Sequence, residues 1–229
     1  MPINKSAYLQ LLKELEPAGV KLVAVSKSQS VDDIQSLYDL GQRDFGENYV
    51  QELLGKYKHL PADIRWHFIG HLQSNKVRSI LPFVQLIQSV DSLKLLETIN
   101  KEAVKLNRTL DCLAQVHIAR EDTKFGMDEE ELKEFFNKVS GEMKNIKISG
   151  LMGIASLTGP EEQIRMEFRN CKKWADQFLS SGPHPLKGSQ IISMGMSNDY
   201  KIAIEEGSNM VRIGSLVFGE RRPPYPKGG

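Results

Sequence analysis

Lys21-Leu-Val-Ala-Val-Ser-Lys27 is a run of aliphatic residues that closes on a serine and a lysine, and seven further apolar runs follow it along the chain. Short Val, Ile and Leu stretches bounded by turn residues favour extended strands. Working outward, they are Arg43-Asp-Phe-Gly46, Arg65-Trp-His-Phe-Ile-Gly70, Phe83-Val-Gln-Leu-Ile-Gln88, Leu110-Asp-Cys-Leu-Ala-Gln-Val-His-Ile118, Ile146-Lys-Ile-Ser-Gly-Leu-Met-Gly-Ile154, Gln190-Ile-Ile-Ser-Met194 and Met210-Val-Arg-Ile-Gly214. Helical spacing fills the intervals: Val31 to Leu40, Tyr49 to Lys58, Ser74 to Ile80, Ser92 to Leu106, Glu129 to Ser140, Glu161 to Leu179 and Asp199 to Glu206, with an initial helix over Lys5 to Leu15. Ser30 before Val31, Asp91 before Ser92, and Pro160 in the first turn of Gly159-Pro160-Glu161-Glu162 supply helix starts. Eight strand–helix units in 229 residues average about 29 residues each, compact but sufficient for a (β/α)8 TIM barrel. A doubly wound open sheet is the alternative, but no glycine-rich dinucleotide turn follows any strand. The expectation is therefore one barrel domain over residues 1–229, with 221–229 as a flexible tail.

The chain carries 30 basic and 29 acidic side chains, a net charge of +1. That balance exerts no overall pull on a phosphate backbone, and no dense basic run occurs beyond Glu220-Arg221-Arg222, so nucleic acid is not an expected partner. No apolar run approaches the roughly 20 residues of a membrane span, and the N-terminus lacks a signal pattern. A cytoplasmic protein without membrane contact is expected. The two cysteines, Cys112 and Cys171, form neither a disulfide framework nor a metal cluster and read as packing residues.

A barrel builds its active site from the C-terminal ends of its strands. Lys27 continues the alternation of Val23 and Val25, which puts it on a core-like face, although alternation alone also allows it to point outward at the rim. Met210, Arg212 and Gly214 share one face of the eighth strand and bring a guanidinium to the same mouth. A permanent cation there disfavours the ammonium form of lysine and leaves neutral amine, the form that attacks a carbonyl. The segments after strands 7 and 8 are the usual phosphate site of this fold, and here they read Ser193-Met-Gly-Met-Ser197 and Gly214-Ser215. Glycine lets backbone approach an anion and serine adds a hydroxyl donor. An amine beside a phosphate cup describes a site for a phosphorylated aldehyde, and pyridoxal 5'-phosphate (PLP) carries both groups. Elsewhere, His67 reads as packing without a second metal ligand at matching spacing, His71-Leu-Gln-Ser-Asn-Lys76 as capping and solvation, and Met152, Met194 and Met196 by themselves as apolar filler.

Ala24-Val-Ser-Lys27, Phe45-Gly-Glu-Asn48, Trp66-His-Phe-Ile-Gly-His-Leu-Gln-Ser-Asn-Lys76, Lys124-Phe-Gly126, Gly150-Leu-Met152, Ser193-Met-Gly-Met-Ser197 and Val211-Arg-Ile-Gly214 together resemble the pyridoxal phosphate homeostasis protein family, from the first strand to Gly219. The resemblance implies a barrel like the N-terminal domain of alanine racemase, with PLP joined as an imine to Lys27. It implies phosphate held by Ser193, Ser197, Gly214 and Ser215, Arg212 facing the pyridine nitrogen and Asn48 beside the cofactor, with Met152, Met194 and Gly195 in the same contact set. Metal and catalytic residues are not implied. The expected role is a monomeric PLP carrier serving homeostasis, with apo PLP-dependent enzymes as recipients. A racemase-like enzyme is the alternative, and a barrel binding a sugar phosphate without covalent chemistry is a third class. Two-sided proton transfer needs a base on each face of the imine. The racemases take the second, a tyrosine, from a separate domain of the partner subunit. Here Tyr38, Tyr49, Tyr57 and Tyr200 fall in helical stretches and Tyr225 in the tail, which favours the carrier.

Overall fold

The structure, a computed structural model, describes residues 3–119, 125–180 and 190–219. Its strands are β1 (Lys21–Val25), β2 (Asp44–Glu47), β3 (Arg65–Phe68), β4 (Val84–Val90), β5 (Leu110–Val116), β6 (Ile146–Gly153), β7 (Ile191–Ser193) and β8 (Met210–Ile213). All pair in parallel, in sequence order, and β8 returns to β1 to close the barrel. Outside lie α1 (Lys5–Leu15), α2 (Val31–Asp39), α3 (Val50–Lys56), α4 (Val77–Ile80), α5 (Leu93–Lys105), α6 (Glu129–Glu142), α7 (Glu161–Ala175), α8 (Tyr200–Glu205) and α9 (Ser215–Phe218). No described helix is long and apolar enough to cross a membrane.

Closure divides the apolar residues into two cores, because successive residues of a strand face opposite sides of the wall. Leu22 and Ala24 of β1 face the helices and join the large outer cluster, whereas Val23 meets Leu86, Leu113, Met152 and Met210 inside the barrel. The helices complement the outer face. α5 buries Leu95, Leu96, Ile99 and Ala103, a stripe at helical spacing, and α7 buries Phe168, Cys171 and Ala175. Cys112 and Cys171 are both buried in the outer core, as packing residues are.

Element boundaries differ from the sequence reading where side chains or loops intervene. Ser92, not Asp91, caps α5 by accepting from Leu95 N–H at 3.3 Å, because the Asp91 carboxylate is engaged with His71 Nδ1 at 2.8 Å. Pro160 stands at the N-cap of α7 rather than within its first turn. The segment from Ser74 begins as a 3-10 turn and only then becomes α4, and α7 passes into a π turn over Asp176–Ser180. The short α9 after Gly214 has no counterpart in the hydrophobic spacing. The expected tail 221–229 and Lys124 lie outside the described residues.

β3 stops at Phe68, before the expected Gly70, because there the chain passes against the backbone of Asn48. A Cβ on Gly70 would lie 2.7 Å from Asn48 Cα and closer still to its carbonyl oxygen. Backbone cannot yield as a flexible side chain does. Gly70→Ala is therefore expected to lower stability by about 1–3 kcal/mol in urea unfolding, and unchanged stability would show that the two loops part freely.

Candidate functional site

At the C-terminal end of the barrel the strand ends surround a cavity of about 320 Å³, the size of a small-molecule site. Val25, Lys27 and Gln29 line it from the β1 side, Asn48 and Ile69 from β2 and β3, and Ile154, Ser156 and Leu157 from β6. Met196, Ser197, Asn198 and Asp199 contribute the loop after β7, and Arg212, Gly214 and Ser215 the end of β8. Six of the ten anticipated residues thus meet at one cavity: Lys27, Asn48, Ser197, Arg212, Gly214 and Ser215.

The other four are not among its lining residues. Met152 belongs to the interior apolar cluster. Met194 has the opposite parity and is fully buried against the helices. Ser193 points inward a layer below the mouth, where its hydroxyl donates to Gln88 Oε1 at 2.7 Å and accepts from Arg212 Nη1 at 2.6 Å. Gly195, at φ +93°, lets the loop pass under α8: a Cβ would lie 2.7 Å from Ala203 Cβ, and its carbonyl accepts from Arg212 N–H at 3.0 Å. Ser193 and Gly195 therefore act on the cavity through Arg212.

Lys27 follows β1 in a turn whose neighbours are tied on both sides. Ser28 adopts φ +62°, a left-handed conformation costing a non-glycine residue about 1–2 kcal/mol. Its N–H donates to Glu52 Oε2 at 2.8 Å. Lys56 Nζ donates to that same carboxylate at 2.9 Å, to Ser26 O at 2.9 Å and to Glu47 Oε1 at 2.8 Å, while Ser26 Oγ donates to Glu47 Oε1 at 2.7 Å. Ser26 and Ser28, the residues flanking Lys27, are thus anchored to one buried lysine–glutamate cluster. Burial pushes the fully enclosed Glu47 carboxyl up, against the opposing charge and hydrogen bond of Lys56. Sequence reading missed this clamp, although Glu52 and Lys56 stand at i,i+4 spacing on α3.

Arg212 is 4% exposed, and burial pushes its guanidinium down to about 10, opposed by the Asp199 charge. It remains a cation at neutral pH. Nη1 donates to Ser193 O and Oγ, and Nη2 to Gly153 O at 2.9 Å, which leaves two of its five N–H groups without a hydrogen bond among the described residues. Asn48 Oδ1 is buried and has no hydrogen-bond partner there either. An unmade buried acceptor costs about 1–3 kcal/mol, and the residues lining the cavity thus include one such acceptor together with guanidinium donors that are not hydrogen-bonded among the described residues. On the β6 side, Glu167 accepts from Ser156 N–H at 2.7 Å and from its hydroxyl at 2.8 Å, fixing that loop. Among the described residues no group of three or more His, Cys, Asp or Glu could hold a metal ion.

The family model described as the N-terminal domain of alanine racemase matches residues 6–222. The chain belongs to that family. A protein of Aquifex aeolicus named pyridoxal phosphate homeostasis protein is 40% identical over 223 residues, covering 93% of this chain and 94% of its own. The structure of PipY from Synechococcus elongatus, solved with PLP bound, superposes with a TM-score of 0.84 at 34% identity, covering 93% of this chain and 99% of that one. Alanine racemase of Bartonella henselae superposes at 0.69 with 16% identity, over 95% of this chain and 60% of its own, a likeness of fold. The (β/α)8 barrel read from the strand periodicity is thus the family's fold.

The clamp behind Lys27 is testable by stability. Lys56→Met leaves the buried Glu47 carboxylate uncompensated and is expected to cost about 3–5 kcal/mol in urea unfolding. Adding Glu47→Gln removes that charge and should recover most of the loss. Equal stabilities of the single and double variants would refute the pairing.

Proposed function

We propose that this chain binds PLP in the cavity and serves as an intracellular PLP carrier, with Lys27 as the amine that captures the aldehyde. The observation that carries the reading is the meeting of Lys27, Arg212 and the loops bearing Ser197 and Gly214-Ser215 around one cavity of cofactor size. The names of its relatives support the same reading, as does the PLP bound in PipY. Bound PLP supplies an electrophilic aldehyde and an electron-withdrawing ring.

Lys27 is the residue that would hold the aldehyde end of the cofactor, its amine condensing there with loss of water, and would so tie the cofactor to the end of β1. Ser197 and Ser215 offer hydroxyl donors to the phosphate, and the first amides of α9, which lack acceptors within the helix, add to them. Ser193 is outside this cup and instead holds Arg212. The free guanidinium donors of Arg212 suit the lone pair of the ring nitrogen. Donating there, Arg212 would keep that nitrogen unprotonated and make the ring a poorer electron sink. Asn48 Oδ1 suits a hydroxyl donor on the ring.

The carrier reading rests on what the cavity wall offers for proton transfer. Besides Lys27, the acid–base side chain among the described lining residues is Asp199, whose Oδ1 accepts the Met196 N–H at 2.6 Å on the Ser197 side. A racemase-type reaction needs a second base facing Lys27 across the bound group. Recipients of the cofactor would be apo forms of PLP-dependent enzymes in the cytoplasm.

Borohydride reduction of the PLP-loaded protein followed by peptide mapping is expected to label Lys27, and a label wholly on another lysine would sink the assignment. Lys27→Ala should lose the covalent link and the visible band that depends on it while retaining weaker PLP binding. Ser197→Ala and Ser215→Ala are each expected to weaken PLP by about tenfold, the loss of one hydrogen bond to a charged group; unchanged affinity in both would move the phosphate elsewhere. Incubation with L- and D-alanine in deuterated water should show no enzyme-like exchange of the Cα proton by NMR. Rapid exchange abolished by Lys27→Ala would restore the enzyme reading.

A further inference from the structure

Below the cavity, the barrel interior holds an unbroken file of polar side chains. Arg212 Nη1 on β8 donates to Ser193 Oγ on β7, and Ser193 Oγ donates to Gln88 Oε1 on β4 at 2.7 Å. Gln88 Nε2 lies 2.9 Å from His67 Nδ1 on β3 and 3.3 Å from Met210 Sδ. His67 Nε2 lies 3.0 Å from Asp44 Oδ1 on β2, and Arg65 donates to both Asp44 oxygens at 2.9 and 2.6 Å. Arg65 and Asp44 open their strands, so the file runs from the cavity wall to the opposite end of the barrel. Arg212, Ser193, Gln88, His67 and Asp44 are each no more than 6% exposed.

The sense of each bond follows from the one before it. A guanidinium only donates, so Ser193 Oγ accepts from Arg212 and gives its own proton to an acceptor. That acceptor is the amide oxygen of Gln88, which turns the Gln88 NH2 toward His67 Nδ1 and the Met210 sulfur. His67 Nδ1 must then carry a lone pair, and the imidazole proton sits on Nε2, where the Asp44 carboxylate receives it. Ionisation agrees with this order. Burial holds the His67 imidazole below its usual range, against the hydrogen bond and charge of Asp44, with Lys21 and Arg65 acting in the same direction as burial. Burial raises the Asp44 carboxyl, but Arg65 and His67 together hold it well below the usual carboxylate range.

We propose that Gln88 and His67 are positioning residues whose file, with His67 neutral as its Nε2–H tautomer, aims the Arg212 guanidinium into the cavity. Its effect on the cofactor rests on the reading that Arg212 meets PLP. A proton added at His67 Nδ1 would face the Gln88 NH2 and force the amide to rotate. Ser193 Oγ would then meet an NH2 instead of an acceptor and lose the outlet for its own proton, which loosens the hydroxyl half of the hold on Nη1 and leaves the Ser193 carbonyl as its remaining fixed acceptor.

Nitrogen-15 NMR of histidine-labelled protein reads His67 without PLP. The expected spectrum is a neutral Nε2–H imidazole that does not titrate between about pH 6 and 8; an Nδ1–H tautomer, or titration in that range, overturns the proposal. Gln88→Leu cuts the file with an apolar side chain and should weaken PLP by about tenfold and shift its visible band, with cooperative unfolding retained. Gln88→Glu restores the acceptor for Ser193 and takes a hydrogen bond from a protonated His67. It should bind PLP nearly as the unaltered protein does near pH 6 and progressively worse as the pH rises and His67 loses its proton, with Asp44, Arg65 and Lys21 the other charged groups acting on that ring. Packing alone creates no such pH profile. Arg212→Lys separates the two readings: if it leaves PLP binding unchanged, the assignment of Arg212 to PLP fails, whereas if it weakens PLP and Gln88→Leu does not, the file alone fails. Should Gln88→Leu not fold, the NMR spectrum of the unaltered protein still decides.

Discussion

A guanidinium enclosed at the mouth of the barrel is the constraint on which the upper half of this structure depends. An unpaired buried charge is expensive, and Arg212 cannot shed its proton at neutral pH to escape that cost. It is therefore surrounded by acceptors from two other strands, the carbonyl of Gly153 on β6 and the carbonyl and hydroxyl of Ser193 on β7. These bonds pin three neighbouring strand ends to one another where the backbone is about to leave the sheet for loops. The arginine and its cage thus form a rigid floor against which a ligand can be held.

Two polar assemblies occupy opposite sides of the barrel wall and share one physical logic. Inside, the file from Arg212 to Arg65 links each buried polar side chain to the next by a hydrogen bond. Outside, Lys56 joins Glu47 and Glu52 and ties down the residues on either side of Lys27. Low surrounding polarity strengthens such bonds and penalises any that go unmade, so each assembly restricts its members to few arrangements. The inner one holds the cation of the cavity and the outer one anchors the residues on either side of its amine. Lys27 and Arg212 are thus held from opposite faces of the sheet, and each is oriented by residues that do not line the cavity.

Membership of the alanine racemase N-terminal domain family accounts for the barrel and for the position of its mouth. It does not by itself select between carrying a cofactor and reacting through it. That selection lies with the groups that line the cavity, which among the described residues include Lys27, Asp199 and Arg212 beside amide and hydroxyl side chains.

The chain's sequence determined the order of strands and helices, the parity that turns Val23 and Arg212 inward, and the glycine–serine loops after the last two strands, because each depends on residues near in sequence and on a backbone period of two or 3.6, whereas alternation alone left Lys27 open and the folded mouth turns it to the cavity. The family motifs were legible for the same reason, being contiguous. Depth along the barrel axis was not legible: Ser193 and Ser197 lie four residues apart, yet one is sealed beneath the cavity and the other lines it. Nor could a reader of the chain see that Gln88 lies beside Ser193, 105 residues away, or that Lys56 reaches back to Ser26 and Glu47. Such pairings arise only when the strands close, since closure decides which inward side chains share a layer and which must share a proton.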